Sequence, residues 1–319
     1  MKRILVTGAA GFIGTNLIAK LQKNGGYEIV GVDNINGYYD PKIKNENIAS
    51  NIDGKFIFKK IDVLDEKYMR EELFEKYHFD IVVHLAAQSG VQFSVKNTFF
   101  VLQENIQGFE NIIRLSYEYG ADQFLFASSS SVLGDGGGVP KSTYGVTKAT
   151  NELQAKMYSQ FFPEMIISGL RLYNVYGERM RPDLAIAKFT DAILNDGNII
   201  INGNGGILRD FTYIDDVTEA FKVVMENEDK YSGQIYDVGN GNPISIMELI
   251  GIMKKVYDKP DFNKIYLKEE NIHDAFITNS RGGKLMEEKF GFKCKTSIEE
   301  GLKKYKEFLD NNKKEKSKA

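Results

Sequence analysis

Through the first half of the chain, short runs rich in Ile, Val and Phe alternate with longer segments of helical period. This is the sequence form of a parallel sheet with crossover helices. The predicted strands are Arg3–Thr7, Glu28–Asp33, Lys55–Ile61, Asp80–Ala86, Gln123–Ser128 and Met165–Leu172, with helices between them, notably Phe100–Tyr119 and Thr143–Phe162. The fold class expected is α/β, a doubly wound parallel sheet of Rossmann type with a smaller C-terminal substrate-binding lobe. After Tyr176 the regular alternation stops, and a helix at about Leu184–Asn195, a strand at Ile199–Ile201 and two later helices follow. One of these opens on a capping box, Ser245 with Glu248, and the other on Thr296-Ser297 ahead of two glutamates. The division expected is a dinucleotide-binding domain of residues 1–175 plus about 211–240, a substrate lobe of 176–210 and about 241–312, and a basic tail, 313–319.

Composition narrows the function. The 319 residues are 42% apolar and 27% charged, ordinary values for a globular protein. A net charge of -3 offers no basic surface for nucleic acid. The lone cysteine, Cys294, cannot close an internal disulfide, and no His or Cys cluster has metal-ligand spacing, so no metal is expected. The first apolar run breaks at Thr7-Gly8, too short for a signal sequence or a membrane span. The expectation is a cytoplasmic protein with no membrane or nucleic-acid partner.

The segment Thr7-Gly8-Ala9-Ala10-Gly11-Phe12-Ile13-Gly14 falls where a strand should give way to a helix. Glycines there let the backbone turn tightly and approach a pyrophosphate, whose charge meets the amides of the helix N-terminus. Three glycines can also be only a turn. Asp33, nineteen residues after Gly14 at the end of the second strand, supports the dinucleotide reading, because its carboxylate can accept hydrogen bonds from an adenosine ribose and would repel a 2'-phosphate. NAD is therefore favoured over NADP, with no Arg or Lys expected beside Asp33 to reverse the choice. Asp62, ending the third strand, is placed to contact adenine or to cap its own turn.

Tyr144 and Lys148 stand four apart on a helical segment, so they share a face. Taken alone, they are an ordinary exposed pair. In a common site, the ammonium and the positive nicotinamide ring of oxidised cofactor would lower the tyrosine pKa and make it a general base.

The glycine turn, Leu85-Ala86-Ala87, the serine run Ser128 to Ser131, Tyr144-x-x-x-Lys148, Arg171 to Gly177 and Arg209 to Val217 together resemble the extended short-chain dehydrogenase/reductase family. Within it, Asp33 to Asp40, Ala86 to Val91 and Arg181-Pro182-Asp183 resemble the sugar-nucleotide 4-epimerases, especially those acting on UDP-glucuronate. The resemblance implies Ser129, Tyr144 and Lys148 as the catalytic residues, with Ser129 relaying the substrate proton to Tyr144. It implies that NAD is held by Gly8, Gly11, Phe12, Ile13, Gly14, Asp33, Asn34, Asp62, Val63, Leu85, Ala86, Ala87, Tyr144, Lys148 and Tyr173. Ser129, Ser130, Asn174, Arg181 and Arg209 would hold the UDP-sugar, Asn174 and Arg209 at the diphosphate and Arg181 at the sugar carboxylate. Ser129 could equally bond its own backbone, and Arg171 could be a diphosphate ligand or a buried ion-pair partner. A homodimer through the helices Phe100–Tyr119 and Thr143–Phe162 is also implied.

The expected reaction is inversion at carbon 4 of a UDP-sugar, UDP-glucuronate first, through a transient 4-keto sugar. Ser130 and Ser131 stand where family dehydratases and decarboxylases carry acids, which argues against both of those reactions. Alternatives are a 4-dehydrogenase or ketoreductase that releases the keto sugar, a 4-epimerase of UDP-glucose or UDP-N-acetylglucosamine, and a non-catalytic NAD sensor. Several positions depart from the pattern: Leu133, Glu178, Asn174, Gln92, and a short Ser129-to-Tyr144 spacing bridged by Gly134 to Pro140, expected to be flexible.

Overall fold

The computed structural model describes residues 1–51, 56–227, 232–269 and 275–316. Lys55 of the expected third strand and residues 317–319 of the basic tail lie outside these. Six parallel strands lie close to the predicted positions: β1 (Lys2–Thr7), β2 (Tyr27–Asp33), β3 (Phe56–Lys60), β4 (Ile81–His84), β5 (Gln123–Ser129) and β6 (Ile166–Leu172). A seventh, Gln234–Val238, pairs parallel with β6. The hydrophobic pattern as read above does not single it out, because it is a short edge strand with an exposed Gln234 and a polar Asp237. The sheet order is Gln234–Val238, β6, β5, β4, β1, β2, β3. The order reverses between β1 and β4, and ligands of open α/β sheets bind beyond the strand ends at that switch point.

Neighbouring strand residues feed opposite layers, as the pleat requires. Ile4, Val6, Ile81 and Val83 join one core with Leu17, Ile18 and Leu21 of α1 (Phe12–Asn24), whereas Leu5, Val30 and Val82 join the other with Phe109 and Ile112. Covering on both faces explains why these strands read as near-continuous apolar runs. A helix not anticipated above, Ile214–Glu226, completes the first layer with Val217, Ala220 and Phe221. A separate core unites Ile186, Phe189 and Ile193 with Leu249, Met253 and Leu302.

The expected helix Phe100–Tyr119 is not uniform. It runs as Thr98–Leu102, a π-helical turn at Gln103–Gln107, and Gly108–Glu118. Such turns shift the register and bring consecutive residues inward; here Glu104 and Asn105 are both buried. The capping box of Ser245 and Glu248 opens the helix Ile246–Val256 as expected. The Thr296-Ser297 pair precedes the helix Ile298–Lys316, with Ser297 Oγ accepting from Glu300 N at 3.2 Å.

Candidate active site

A cavity of about 400 Å³ opens at the switch point, floored by the glycine turn and walled by the ends of β1, β2, β4 and β5. Gly8 adopts φ +70°, and a Cβ there would lie 2.8 Å from the amide nitrogen of Ala86. A Cβ on Gly14 would lie 2.3 Å from the Gly8 carbonyl oxygen. The turn is thus closed to side chains at both positions. Gly11 caps α1 without a side-chain hydrogen bond, so the first-turn amides of the helix depend on a partner from outside it. Such an arrangement fits a dinucleotide pyrophosphate.

Asp33 is buried beside the turn. Its carboxylate accepts from Ala10 N at 3.3 Å and Ile35 N at 2.8 Å. One expectation is corrected here: a lysine does stand beside Asp33. Lys44 Nζ approaches to 3.4 Å and donates to Asn36 Oδ1 at 2.9 Å. The helix α2 (Pro41–Ala49) folds back over the end of β2, so a residue eleven positions away becomes a neighbour. Asp62 accepts from Leu64 N at 2.9 Å and from Asn34 Nδ2 at 3.0 Å, the turn-capping arrangement, and it does not line the cavity, whereas Asn34 and Val63 do. Phe12, Ile13, Leu85, Ala86 and Ala87 also line it.

The reacting side of the cavity is built on the end of β5 and the helix Thr143–Phe161. Ser142 caps this helix through Gly145 N at 3.1 Å, which fixes Tyr144 in its first turn and Lys148 one turn on. The Ser129 hydroxyl is close enough to the Tyr144 phenol to favour its ionised form. Ser129 Oγ also accepts from Ser131 N at 3.2 Å, so the local backbone bond and the tyrosine contact coexist. Lys148 is buried and donates to the Ala127 carbonyl at 2.7 Å.

Protonation differs from the expectation. Burial raises the Tyr144 pKa; the Ser129 hydrogen bond and the Arg181 charge oppose the rise without cancelling it. Burial also lowers Lys148 to about 8. The same dry surroundings disfavour both phenolate and ammonium, and that desolvation outweighs the stabilisation expected from the lysine. His84, stacked beneath on Phe124, is pushed down to about 3 by burial and by Lys148, and its Nδ1 lies 2.8 Å from Thr7 Oγ1.

On the substrate side, Arg181 reaches the cavity with its charge already engaged. Asp183 grips it at Nε and Nη2, both 2.9 Å, Ser89 meets Nη1, and its Cζ lies over the Tyr38 ring, 5.4 Å from the ring centroid. Asn174, at φ +32°, donates to Asp210 O at 3.1 Å and Thr278 Oγ1 at 2.8 Å while lining the cavity. Ser129 and Ser130 line it as well. Tyr173 and Arg209 do not: Tyr173 is buried with its hydroxyl on Asp237 Oδ1 at 2.8 Å, and Arg209 Nη1 donates to Leu208 O. Arg171 is an ion-pair partner, held by Glu152 at 2.8 Å and Asp237 at 3.3 Å. That triad also anchors Ser128, whose Oγ meets Glu152 at 2.5 Å.

The short loop before Tyr144 is folded back on itself. The Leu133 carbonyl accepts from Gly136 N and Gly138 N, and Asp135 bonds Lys141 at 2.9 Å and Phe276 N at 2.5 Å. These bonds, one of them reaching across to Phe276, counter the expected glycine-rich flexibility. Sequence reasoning missed Tyr38, Tyr39, Lys44 and Glu104 as lining residues. A helix-period reading leaves Glu104 among ordinary helical positions; only the π-helical turn brings it to the cavity. Among the described residues no group of His, Cys, Asp and Glu is arranged to hold a metal ion.

Residues 4–239 match the NAD dependent epimerase/dehydratase family. The chain is 32% identical to UDP-glucuronate 4-epimerase 4 of Arabidopsis thaliana over 95% of its own length and 74% of the relative's. Its structure superposes on a UDP-glucuronic acid 4-epimerase from Bacillus cereus, solved with UDP-glucuronic acid and NAD, at a TM-score of 0.88 and 29% identity, covering 97% and 99% of the two chains. It is also similar to a UDP-glucose 4-epimerase from Thermotoga maritima, solved with UDP-glucose, at a TM-score of 0.86 and 28% identity over 97% and 99%. The chain belongs to the NAD-dependent epimerase/dehydratase family.

Proposed function

We propose that this protein inverts carbon 4 of a UDP-sugar, with UDP-glucuronate as its substrate. The observation that carries the reading is the convergence of Ser129, Tyr144, Lys148 and Arg181 on one cavity floored by the glycine turn. The family relationship and the likeness to the UDP-glucuronic acid enzyme support it.

NAD, when bound, supplies a hydride acceptor that returns the hydride. Gly8, Gly11 and Gly14 admit its pyrophosphate, Asp33 takes the adenosine ribose, and Asn34, Val63, Leu85, Ala86 and Ala87 wall its adenosine and nicotinamide ends. Asp62 and Tyr173 act from behind that wall, Asp62 by fixing Asn34. Tyr144 takes the proton of the sugar hydroxyl on carbon 4 through the Ser129 hydroxyl, and gives it back once the keto sugar has turned over. Lys148 fixes the tyrosine's surroundings from the next helical turn. Ser130 and Ser131 provide no acid for dehydration or decarboxylation. Asn174 holds the diphosphate, Arg209 supports it from outside the cavity lining, and Arg181 meets the sugar carboxylate.

A second reading, UDP-glucose as substrate, is favoured by one observation: Asp183 already balances the Arg181 charge, which leaves less of it for a carboxylate. Offering the purified protein UDP-glucuronate, UDP-glucose and UDP-N-acetylglucosamine separately and resolving the products by NMR tests the choice. Conversion of UDP-glucuronate at a markedly higher kcat/KM is expected; preference for a neutral sugar would overturn it.

The domain division follows the same reading, with residues 1–175 and about 211–240 holding cofactor and residues 176–210 and about 241–312 holding the sugar nucleotide. A homodimer is part of the proposal. Val146, Leu153, Met157 and Phe161 form an exposed apolar stripe on the helix Thr143–Phe161, beside exposed Phe99 and Phe100. Among the described residues no helix is long and apolar enough to cross a membrane. A cytoplasmic location is proposed, supported by the single, buried, unpaired Cys294.

A further inference from the structure

Three consecutive residues at the end of β5 each meet one turn of the helix Thr143–Phe161. The Ser129 hydroxyl lies beside the Tyr144 phenol, the Ala127 carbonyl accepts from Lys148 Nζ at 2.7 Å, and Ser128 Oγ donates to Glu152 Oε1 at 2.5 Å. Tyr144, Lys148 and Glu152 are spaced four apart, so they stand one above another on a single helix face. The first two carry the proposed chemistry. Glu152, the third, does not line the cavity.

Glu152 is clamped to the sheet. Ser128 and Arg171 are register partners across β5 and β6, and Arg171 and Asp237 are register partners across β6 and the edge strand Gln234–Val238. The three residues form a row across three strands. Alternation along β5 sends Ser128 toward the helix, since Phe124 and Phe126 pack in one core with Ala155 and Tyr158. Glu152 comes down onto that row. It accepts from Arg171 Nε at 3.1 Å and Nη2 at 2.8 Å as well as from Ser128, while Asp237 holds Arg171 at 3.3 Å. A two-pronged arginine pair fixes the plane of the carboxylate, and with it the height of this helix turn above β5. Asn105 fixes the same helix sideways, donating to Thr147 Oγ1 at 3.0 Å and accepting from Asn151 Nδ2 at 2.9 Å. The Glu152 charge also reaches one turn back: burial pulls Lys148 down to about 8, and Glu152 opposes the fall.

We propose that Glu152 is a positioning residue for the reaction: clamped on Ser128 and Arg171, it sets the helix Thr143–Phe161 against β5, and so places Tyr144 against Ser129 and Lys148 against the Ala127 carbonyl. It acts through these neighbours and touches neither sugar nor cofactor. A reacting group misplaced by about 1 Å costs on the order of a hundredfold in rate. The clamp removes that freedom two turns away from the chemistry.

This role presupposes that Tyr144 and Ser129 form the proton route, and the experiment separates the two. Ser128→Ala cuts the bond from β5 to the helix while leaving the Glu152–Arg171 pair in place. It is compared in the full chain with Glu152→Gln, with the double variant and with Tyr144→Phe. Steady-state kinetics on the UDP-sugar that the natural protein turns over fastest give kcat and KM, and calorimetry gives the UDP and NAD affinities. Each single substitution at Ser128 or Glu152 should lower kcat roughly tenfold to a hundredfold, with KM and both affinities held within about threefold. Because both act through one bond, Ser128→Ala should cost nothing further in the Glu152→Gln background. Natural kcat in Ser128→Ala, multiplied losses in the double variant, or KM and both affinities worsening in step with kcat would overturn the positioning role and leave the proton route intact. Natural turnover in Tyr144→Phe would overturn the proton route and the role with it. If Glu152→Gln does not fold, Ser128→Ala alone decides.

Discussion

Asp183 holds Arg181 by both carboxylate oxygens, each 2.9 Å from a guanidinium nitrogen, at the mouth of the reacting site. Tyr38 closes this pair from the opposite lobe, its hydroxyl 3.2 Å from Asp183 Oδ2. A substrate carboxylate must therefore share an arginine that is already paired. Arg181→Met is expected to reduce kcat/KM for UDP-glucuronate by about a hundredfold, the scale of a charge-assisted pair. The loss for UDP-glucose should be under tenfold. Steady-state kinetics on both sugars check it; equal losses would remove Arg181 from sugar recognition.

In the proposed mechanism Tyr144 and Ser129 form the proton route. Tyr144→Phe should lower kcat by about 10²- to 10⁴-fold, the range of positioned acid–base groups, with NAD affinity little changed. Stopped-assay turnover and calorimetric NAD titration measure the two separately. Turnover at the natural rate would end the assignment.

The buried Lys148 ammonium costs stability, which its proposed catalytic role would explain. Its folded pKa, about 8, lies below the ordinary lysine value of 10.5, so between those limits the unfolded chain binds more protons and stability rises with pH. Below pH 8 the buried charge costs its full amount. Lys148→Met should abolish turnover yet raise stability at pH 7 by on the order of 1–3 kcal/mol. The gain should shrink as pH rises toward 10. Denaturant melts at pH 7 and pH 9.5 test the sign; a destabilised variant at pH 7 would contradict it.

Arg171 is read as structural. Arg171→Met leaves Glu152 and Asp237 without their cation, and a loss of about 3 kcal/mol in stability is expected, as for one partner removed from a buried pair. KM of the surviving enzyme should stay within a factor of three. A KM rise of tenfold or more would restore Arg171 to diphosphate binding.

Much of this architecture was legible in the sequence. Six strands announced themselves because apolar runs such as Ile4-Leu5-Val6 are buried on both faces, and the glycine turn because Gly8 and Gly14 leave no room for a Cβ. Arg171, by contrast, looked like either an anion ligand or a core ion pair, and only the placement of Glu152 from another element decided it. The strand Gln234–Val238 carries too few apolar residues to stand out, being an edge. Lys44 meets Asp33 only because α2 folds back, and Glu104 meets the cavity only because the helix takes a π turn that no 3.6-residue period foretells. Long-range placement, rather than residue type, is what those positions withheld.

The most direct measurement incubates the purified protein with UDP-glucuronate and no added cofactor, following the sugar by NMR and NADH by absorbance at the same time. The account predicts growth of the carbon-4 epimer to an equilibrium mixture with no accumulating NADH and no carbon dioxide. Steady accumulation of NADH, or release of carbon dioxide, would contradict it.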